Sequence, residues 1–465
     1  MSRGVYRAPA QIRTFELAEW QTLTIDGETL TPSDQRLKEE LETGGEGRLL
    51  VEELRVGVRI TARSWVGVVR FEHFEIRVVP KLAGNNLGLV EMIEFSSGLD
   101  ALRRSSSVRK LSAEGTGLLD LIALLLAEAT EAILRGGLIA DYVENEDDLP
   151  VLRGRLLADR QVLRRFGLID RLICRFDEQE QNIVENQLLL AALARCATRI
   201  THEAVRRRVR RLLTIFQEVC CTDELNLQAI RNSITYHRLN DHYRDAHSLS
   251  WLLLDGLGTR DLLGPGNTRC FAFLIDMNRL FEIFVFKFVD RLLAGTGQRV
   301  YYQRSDQSII LNASTNRPYA RVVPDVLIEA GSVSRKARVA IDAKYKLYDE
   351  RKLSSGDVYQ TFLYAYAYGK ANGPQLPAAI LLYPSSTASN PSIRLRIRSA
   401  ESLAAAEVFA LGVSIPNALA EIWVNYQGPT STALREVVQQ CVSGLPQPER
   451  GSRRPLYLAS AEQSR

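Results

Sequence analysis

The six cysteines of this 465-residue chain, Cys174, Cys196, Cys220, Cys221, Cys270 and Cys441, form no C-x-x-C pair. That excludes a zinc ribbon and a thioredoxin-like redox site. No G-x-x-x-x-G-K-[S/T] stretch occurs, so the chain binds no nucleotide through a P-loop. Histidine is scarce at five residues, and His237, His242 and His247 fall five apart, where ligand pairs on a helix need three or four. A long apolar run is also missing. The richest, residues 118–127, is broken by Asp120 and followed by Glu128 and Glu131, so it predicts a buried helix and not a membrane span. Residues 1–13 are polar and basic without an apolar signal-peptide core; with so few cysteines, this predicts a cytoplasmic protein with reduced thiols. Neither charge sign dominates: 59 Lys and Arg stand against 55 Asp and Glu, a net +4 that admits nucleic acid as a partner without requiring it.

What is present is the make-up of a globular protein, 46% hydrophobic and 25% charged, long enough for two or three domains. Alternation of apolar and polar residues over 49–79, ending at Pro80, predicts paired strands. Residues 89–251 turn to helical spacing, with loops at Gly136-Gly137 and at Asp147-Asp148-Leu149-Pro150. A glycine-rich loop at 256–266 suggests a boundary. Beyond it the pattern predicts a helix over 278–293 and strands over 321–329 and 338–346 joined near Gly331-Ser332. A helix over 357–368 follows, then Gly373-Pro374, a buried strand over 379–383 and an alternating strand over 393–398. The expected architecture is α+β and multidomain: a β-rich region 1–95, a helical middle 96–255, a mixed-sheet domain 256–444 and a mobile tail 445–465.

Chemistry concentrates in the strand pair. Pro324-Asp325 lies on the first strand and Asp342-Ala343-Lys344 on the second. Residues i and i+2 of a strand share a face, so Asp342 and Lys344 project together, and a hairpin-like pairing can bring Asp325 beside them. Two carboxylates can hold Mg²⁺, and the ammonium can orient a water or stabilise a phosphoryl transition state. Asp-x-Lys by itself equally describes a solvated salt bridge. Two further features favour a site: Glu282 stands in an otherwise apolar helix, and Gln360 and Tyr364 lie four apart on one helix face. Tyr359, Tyr366 and Tyr368 read as half-buried aromatics.

The order Glu282, Asp325, Asp342-x-Lys344, Gln360-x-x-x-Tyr364 resembles the PD-(D/E)xK nuclease superfamily. Met277-Asn278-Arg279-Leu280-Phe281-Glu282, Asp342-Ala343-Lys344-Tyr345-Lys346, Asp357-Val358-Tyr359-Gln360 and Leu152-Arg153-Gly154-Arg155 with upstream Asp141-Tyr142 resemble the McrC family, the nuclease subunit of McrBC-type modification-dependent restriction systems. Trp65-Val66-Gly67-Val68 followed by Pro80-Lys81 is a looser match. The resemblance implies a PD-(D/E)xK α/β nuclease domain in 256–444 cutting DNA, methylated on cytosine or otherwise modified, with Mg²⁺ or alternatively Mn²⁺. It makes Asp325, Asp342 and Glu282 metal ligands, Lys344 the catalytic lysine and Gln360 with Tyr364 an auxiliary pair. It further implies an McrB-like AAA+ GTPase ring as partner, with the β-rich region and helical middle docking on it. Two other readings stay open: a non-catalytic activator of that ring, and a stand-alone PD-(D/E)xK nuclease.

Several arginines have both a bland and a sharp reading. Arg153 and Arg155 suit a partner or phosphate contact, or a local ion pair. Arg394, Arg396 and Arg398 share a strand face that could line a DNA groove or protect an edge. Arg206-Arg207-Arg208-Val209-Arg210-Arg211 spreads around a helix, which favours a solvated face over a DNA contact.

Overall fold

The computed structural model describes residues 12–43, 47–99, 105–168, 170–220, 227–257, 270–332, 335–369, 376–387, 389–398 and 404–443. The tail 445–465, most of the loop 256–266 and Gly373-Pro374 lie outside the described residues. The chain divides into two units, Met1–Lys287 and Phe288–Arg465. The α+β, multistranded expectation holds in both.

The strands of the first unit are β1 (Arg13–Ala18), β2 (Thr22–Asp26), β3 (Leu49–Leu54), β4 (Gly57–Ala62), β5 (Trp65–Arg70), β6 (Phe74–Val79), β7 (Asp141–Leu149), β8 (Arg155–Leu156), β9 (Leu172–Glu180) and β10 (Phe271–Asp276). They form sheets ordered β2-β4-β3, β1-β6-β5-β10 and β7-β9-β8. Inward-facing residues of the first two, among them Val58, Ile60, Val69, Phe74 and Ile76, share one core. Gly67 is required where β10 crosses β5: its φ is +148°, and an added Cβ would stand 2.0 Å from the Phe273 carbonyl oxygen.

The apolar run 118–127 is the first half of the helix Leu118–Gly136 and is buried throughout, as its composition predicts. The acid that breaks it has a structural task. Asp120 accepts the N–H groups of Thr201 (2.8 Å) and His202 (3.0 Å) and the Thr201 hydroxyl (2.7 Å), satisfying donors at the start of the helix Glu203–Val219.

The helical middle is interrupted by an antiparallel arm, a correction to the sequence reading. Asp147, Asp148 and Leu149, read as a loop, belong to β7, which pairs with β9 over nine positions from Asp141↔Glu180 to Leu149↔Leu172. The stretch DYVENEDDL is mostly exposed, so no hydrophobic alternation announces it. Both roots of the arm meet one side chain. Buried Asn186 donates to the carbonyls of Ile139 (3.0 Å), before β7, and Gln181 (2.8 Å), after β9. Its own oxygen accepts from the Tyr243 hydroxyl (2.9 Å), which in turn accepts from the Ile139 N–H (3.0 Å). Replacing Asn186 with alanine leaves these groups buried without partners, so a stability loss of about 3 kcal/mol is expected. Thermal denaturation checks it; an unchanged melting temperature would contradict the hub.

The second unit is built on a six-stranded mixed sheet, β11-β14-β15-β16-β18-β17, with a separate ladder β12-β13. Its strands are β11 (Arg299–Tyr302), β12 (Asp306–Asn312), β13 (Arg317–Val322), β14 (Val326–Ser332), β15 (Arg335–Ala343), β16 (Ala378–Pro384), β17 (Ser392–Arg398) and β18 (Ala404–Val413). β15 runs parallel to β16 and β16 to β18, and the helix Ser355–Tyr368 makes the crossover between β15 and β16. β16 is buried from Ala379 to Pro384, as a central strand covered on both faces must be. The strand expected over 321–329 is two strands in different sheets. Pro324 has no N–H for a ladder and restricts Val323 before it, so the chain leaves the β12 ladder at Val322 and enters the main sheet at Val326. Gly331 and Ser332, expected in a turn, lie within β14, paired with Lys336 and Arg335.

Candidate active site

The register of β14 and β15 builds the site. Val326 pairs with Ile341, so one step further sets Asp325 opposite Asp342 at the ends of two adjacent strands. Asp325 is held there by the Ala343 N–H, which donates to its Oδ2 at 2.8 Å. Lys344 follows the end of β15, and its own N–H donates to the Leu382 carbonyl (2.8 Å), extending the pairing with β16 by one residue. Its ammonium nitrogen stands 2.9 Å from Oδ1 of Asp342. The structure thus brings Asp325, Asp342 and Lys344 together.

Asp342 is fully buried, and burial pushes its carboxyl up to about 7. Lys344 opposes that shift, while the charges of Asp325 and Asp357 add to it. Burial presses Lys344 the other way, but Asp342, Asp325 and Asp357 outweigh it and hold the ammonium above its ordinary range. The lysine is therefore charged near neutrality, beside a carboxylate whose ionisation costs free energy unless positive charge is near.

The helix Ser355–Tyr368 supplies the floor. Gln360 Nε2 donates to the Tyr364 hydroxyl (2.8 Å), which donates to the Val323 carbonyl (3.0 Å). Tyr368 donates to the Val322 carbonyl (3.3 Å). These hydroxyls satisfy acceptors at the ladder break before Pro324, and so fix the approach to Asp325. None of the three aromatics read as half-buried is so: Tyr368 is buried, and Tyr359 and Tyr366 are exposed, with no partner element covering that face among the described residues.

Some contributors were not recognised from sequence. Thr361 lies beneath Asp342, its hydroxyl 3.5 Å from Oδ2 and donating to the Asp357 carbonyl at 2.8 Å. Burial pushes Asp357 up, but hydrogen bonds from Lys346, Tyr348 and Ser354 prevail and hold its carboxyl below the ordinary range. The signal available for Asp357 was Ser354-x-x-Asp357, a helix-start pattern whose Ser354 hydroxyl accepts the Asp357 N–H.

The remaining candidates are less concentrated. Glu282 is half-buried on the helix Met277–Leu292, within the first unit. Arg394 and Arg396 both pair with Glu407 across the β17–β18 ladder, on an edge strand. Arg153 pairs with Glu178 (3.3 Å) and lies over the Phe176 ring. Arg155 is exposed on β8, opposite Arg175. Gly154 between them has φ +64°, and an added Cβ would meet the Arg175 carbonyl at 2.3 Å. In the basic run, Arg208 and Arg211 pair with Glu131 and Arg206 with Glu203, which is the solvated-face arrangement. His247 is buried between Tyr236 and the Glu185 carbonyl, and burial lowers its pKa to about 4, so it stays neutral. Among the described residues no group of three or more His, Cys, Asp or Glu converges as a metal site, and no helix is long and apolar enough to cross a membrane.

Residues 60–384 match the family model described as McrBC 5-methylcytosine restriction system component. A curated relative, the type IV methyl-directed restriction enzyme EcoKMcrBC of Escherichia coli K12, is 23% identical over 306 residues, 58% of this chain and 78% of the relative. Among solved structures, the half-complex from the tetradecameric assembly of Thermococcus gammatolerans McrB AAA+ hexamers with bound McrC contains a chain similar in fold. It matches with a TM-score of 0.61 and 18% identity, covering 91% of this chain and all of that one.

Proposed function

This chain belongs to the family of McrBC 5-methylcytosine restriction system components, and from that premise we propose that it is the DNA-cutting subunit of such a system. The proposed chemistry is phosphodiester hydrolysis at Asp325, Asp342 and Lys344 on a PD-(D/E)xK-type sheet, the Phe288–Arg465 unit forming the core of the nuclease domain. The observation that carries this reading is the register that sets Asp325 opposite Asp342, with the Lys344 ammonium 2.9 Å from the latter.

Two opposed carboxylates offer hard oxygen donors suited to Mg²⁺, with Mn²⁺ the alternative, and waters would complete the shell. A cation there would also relieve the cost of ionising buried Asp342. When bound, the metal supplies Lewis acidity toward water and neutralises charge on the phosphodiester. The chain's own groups do the rest. Lys344 places a fixed positive charge where the phosphoryl group gains negative charge. The Ala343 N–H keeps Asp325 aimed at the site, and Thr361 supports Asp342. Tyr364, oriented by Gln360, holds the chain at Val323. Glu282, which the resemblance makes a supporting acid and third ligand, is tested by Glu282→Gln.

Metal binding tests this reading directly. Because the Asp342 carboxyl lies near 7 without metal, Mg²⁺ must displace a proton below that pH. Affinity is expected to rise roughly tenfold per pH unit up to about pH 7 and to flatten above it. Calorimetry in buffers of different ionisation heat reads the proton release. A pH-independent affinity in the wild type would argue against Asp342 as a ligand.

The proposed partner is an McrB-like AAA+ ring, and the arm β7–β9 is the proposed docking element. Its support is an apolar surface that this chain leaves uncovered. The helix Ala158–Arg165 has no buried residue, and Leu163 and Phe166 are each 84% exposed, with Val151 and Leu152 also bare. A strand pair of nine positions reaches about 30 Å, long enough to carry such a surface to a partner.

A further inference from the structure

The hairpin β12–β13 makes no part of the main sheet, yet it leads straight into the site. Its base is anchored: Val322, Ile309 and Ile310 pack with Tyr364 and Tyr368. Its tip is ordered, since Asn312 Oδ1 accepts from the N–H groups of Ser314 (3.0 Å) and Thr315 (3.2 Å). Between base and tip, every residue from Arg317 to Arg321 is exposed, Tyr319 by 76%. The ladder register shifts here: Ile310 pairs with Ala320 and Leu311 with Pro318, so Tyr319 is the extra residue of a bulge on β13. Bulges beside functional sites re-aim a side chain.

The hairpin carries two exposed arginines, Arg317 and Arg321, on one strand. Elsewhere in the unit, Arg304 and Arg338 share Glu329, and Arg394 and Arg396 share Glu407; the strand residues Arg299 and Arg398 form no ion pair among the described residues. Arg317 and Arg321 form no ion pair among the described residues. Two guanidinium groups without an ion pair and an aromatic between them, on a fixed arm running into two carboxylates, suit a polyanion and not an apolar surface, and the adjoining site proposed for phosphodiester hydrolysis favours a nucleic-acid backbone as that polyanion.

We infer that the β12–β13 hairpin grips the backbone of duplex DNA beside the cleavage site, with Arg317 and Arg321 each neutralising one phosphate and Tyr319 lying against the sugar-base edge. This rests on the nuclease reading above. The spacing fits. Four residues of extended chain span about 13 Å. One strand of DNA rises about 3.4 Å per nucleotide. Arg321 therefore falls within about four nucleotides of the phosphate at Asp325, and Arg317 within about eight.

The test is binding of a labelled 30-base-pair duplex to the full-length chain, with Ca²⁺ in place of Mg²⁺ to prevent cutting, across a salt series. The double variant Arg317→Ala/Arg321→Ala is expected to bind about tenfold more weakly at 0.1 M salt, and its salt slope to fall by about two. Arg317→Lys/Arg321→Lys, which keeps both charges, should recover most of the slope. Unchanged affinity and slope in the alanine double variant would overturn the hairpin assignment; if wild type still cuts DNA in Mg²⁺, the nuclease reading survives that result. A wild type that neither binds the duplex nor cuts methylated plasmid with Mg²⁺, GTP and the partner ring overturns both.

Discussion

Asp342→Asn is expected to abolish DNA cleavage, by on the order of a thousandfold or more, and at the same time to make the metal-free protein more stable. The gain follows from the buried carboxyl. Its folded-state pKa is raised to about 7, above the unfolded value, so the folded protein holds the proton more tightly. That contribution to stability is fully present below about pH 4 and is lost as pH rises through about 7. Asparagine does not ionise and keeps the neutral state at every pH. Variant and wild type should therefore melt together near pH 4 and diverge as pH rises to 8. The raised value already includes the attraction of Lys344, so the net difference is on the order of a few kcal/mol. Mg²⁺ should reverse the order, since a ligand that binds only the wild-type site stabilises only the wild type. Thermal melts in EDTA and in Mg²⁺, each at several pH values, read all of this. A variant less stable than wild type in EDTA at pH 8 would contradict the account of Asp342.

The second large effect concerns the arm. Leu163→Glu/Phe166→Glu places two carboxylates on the barest part of its surface, where no intramolecular packing is lost. Stability should stay within about 0.5 kcal/mol of wild type. Association with the proposed GTPase ring should weaken at least about a hundredfold, because apolar anchors at the centre of an interface each carry about 2 kcal/mol or more. Stimulation of the ring's GTP hydrolysis would fall with it. Sedimentation of the mixed proteins with GTP measures the association. Undiminished association would move docking to another surface.

How much of this was legible in the sequence differs from element to element. Asp342 and Lys344 could be placed together because a strand alternates its side chains, and the contact is an ion pair at 2.9 Å. The partnership with Asp325 could be anticipated from a hairpin but not the break before it; the proline that moves the chain between sheets was read as part of one strand. The arm at 141–180 was invisible because hydrophobic periodicity reports burial, and β7 is mostly exposed. Arg394 and Arg396 alternated as read, yet their shared pairing with Glu407 depends on a ladder register no local pattern encodes. Tyr368 looked like a spare aromatic because the acceptor it satisfies, the Val322 carbonyl, lies on a distant strand. Long-range pairing decides these cases, and single-sequence patterns carry none of it.

The most direct test of the central claim is a cleavage time course on a plasmid carrying 5-methylcytosine, with Mg²⁺, GTP and the partner ring, comparing wild type with Asp342→Asn at equal ring occupancy. The account predicts cutting by wild type, none by the variant, and the same GTP hydrolysis by both. Equal cutting by the two proteins would place the nuclease elsewhere and leave this chain an activator of the ring.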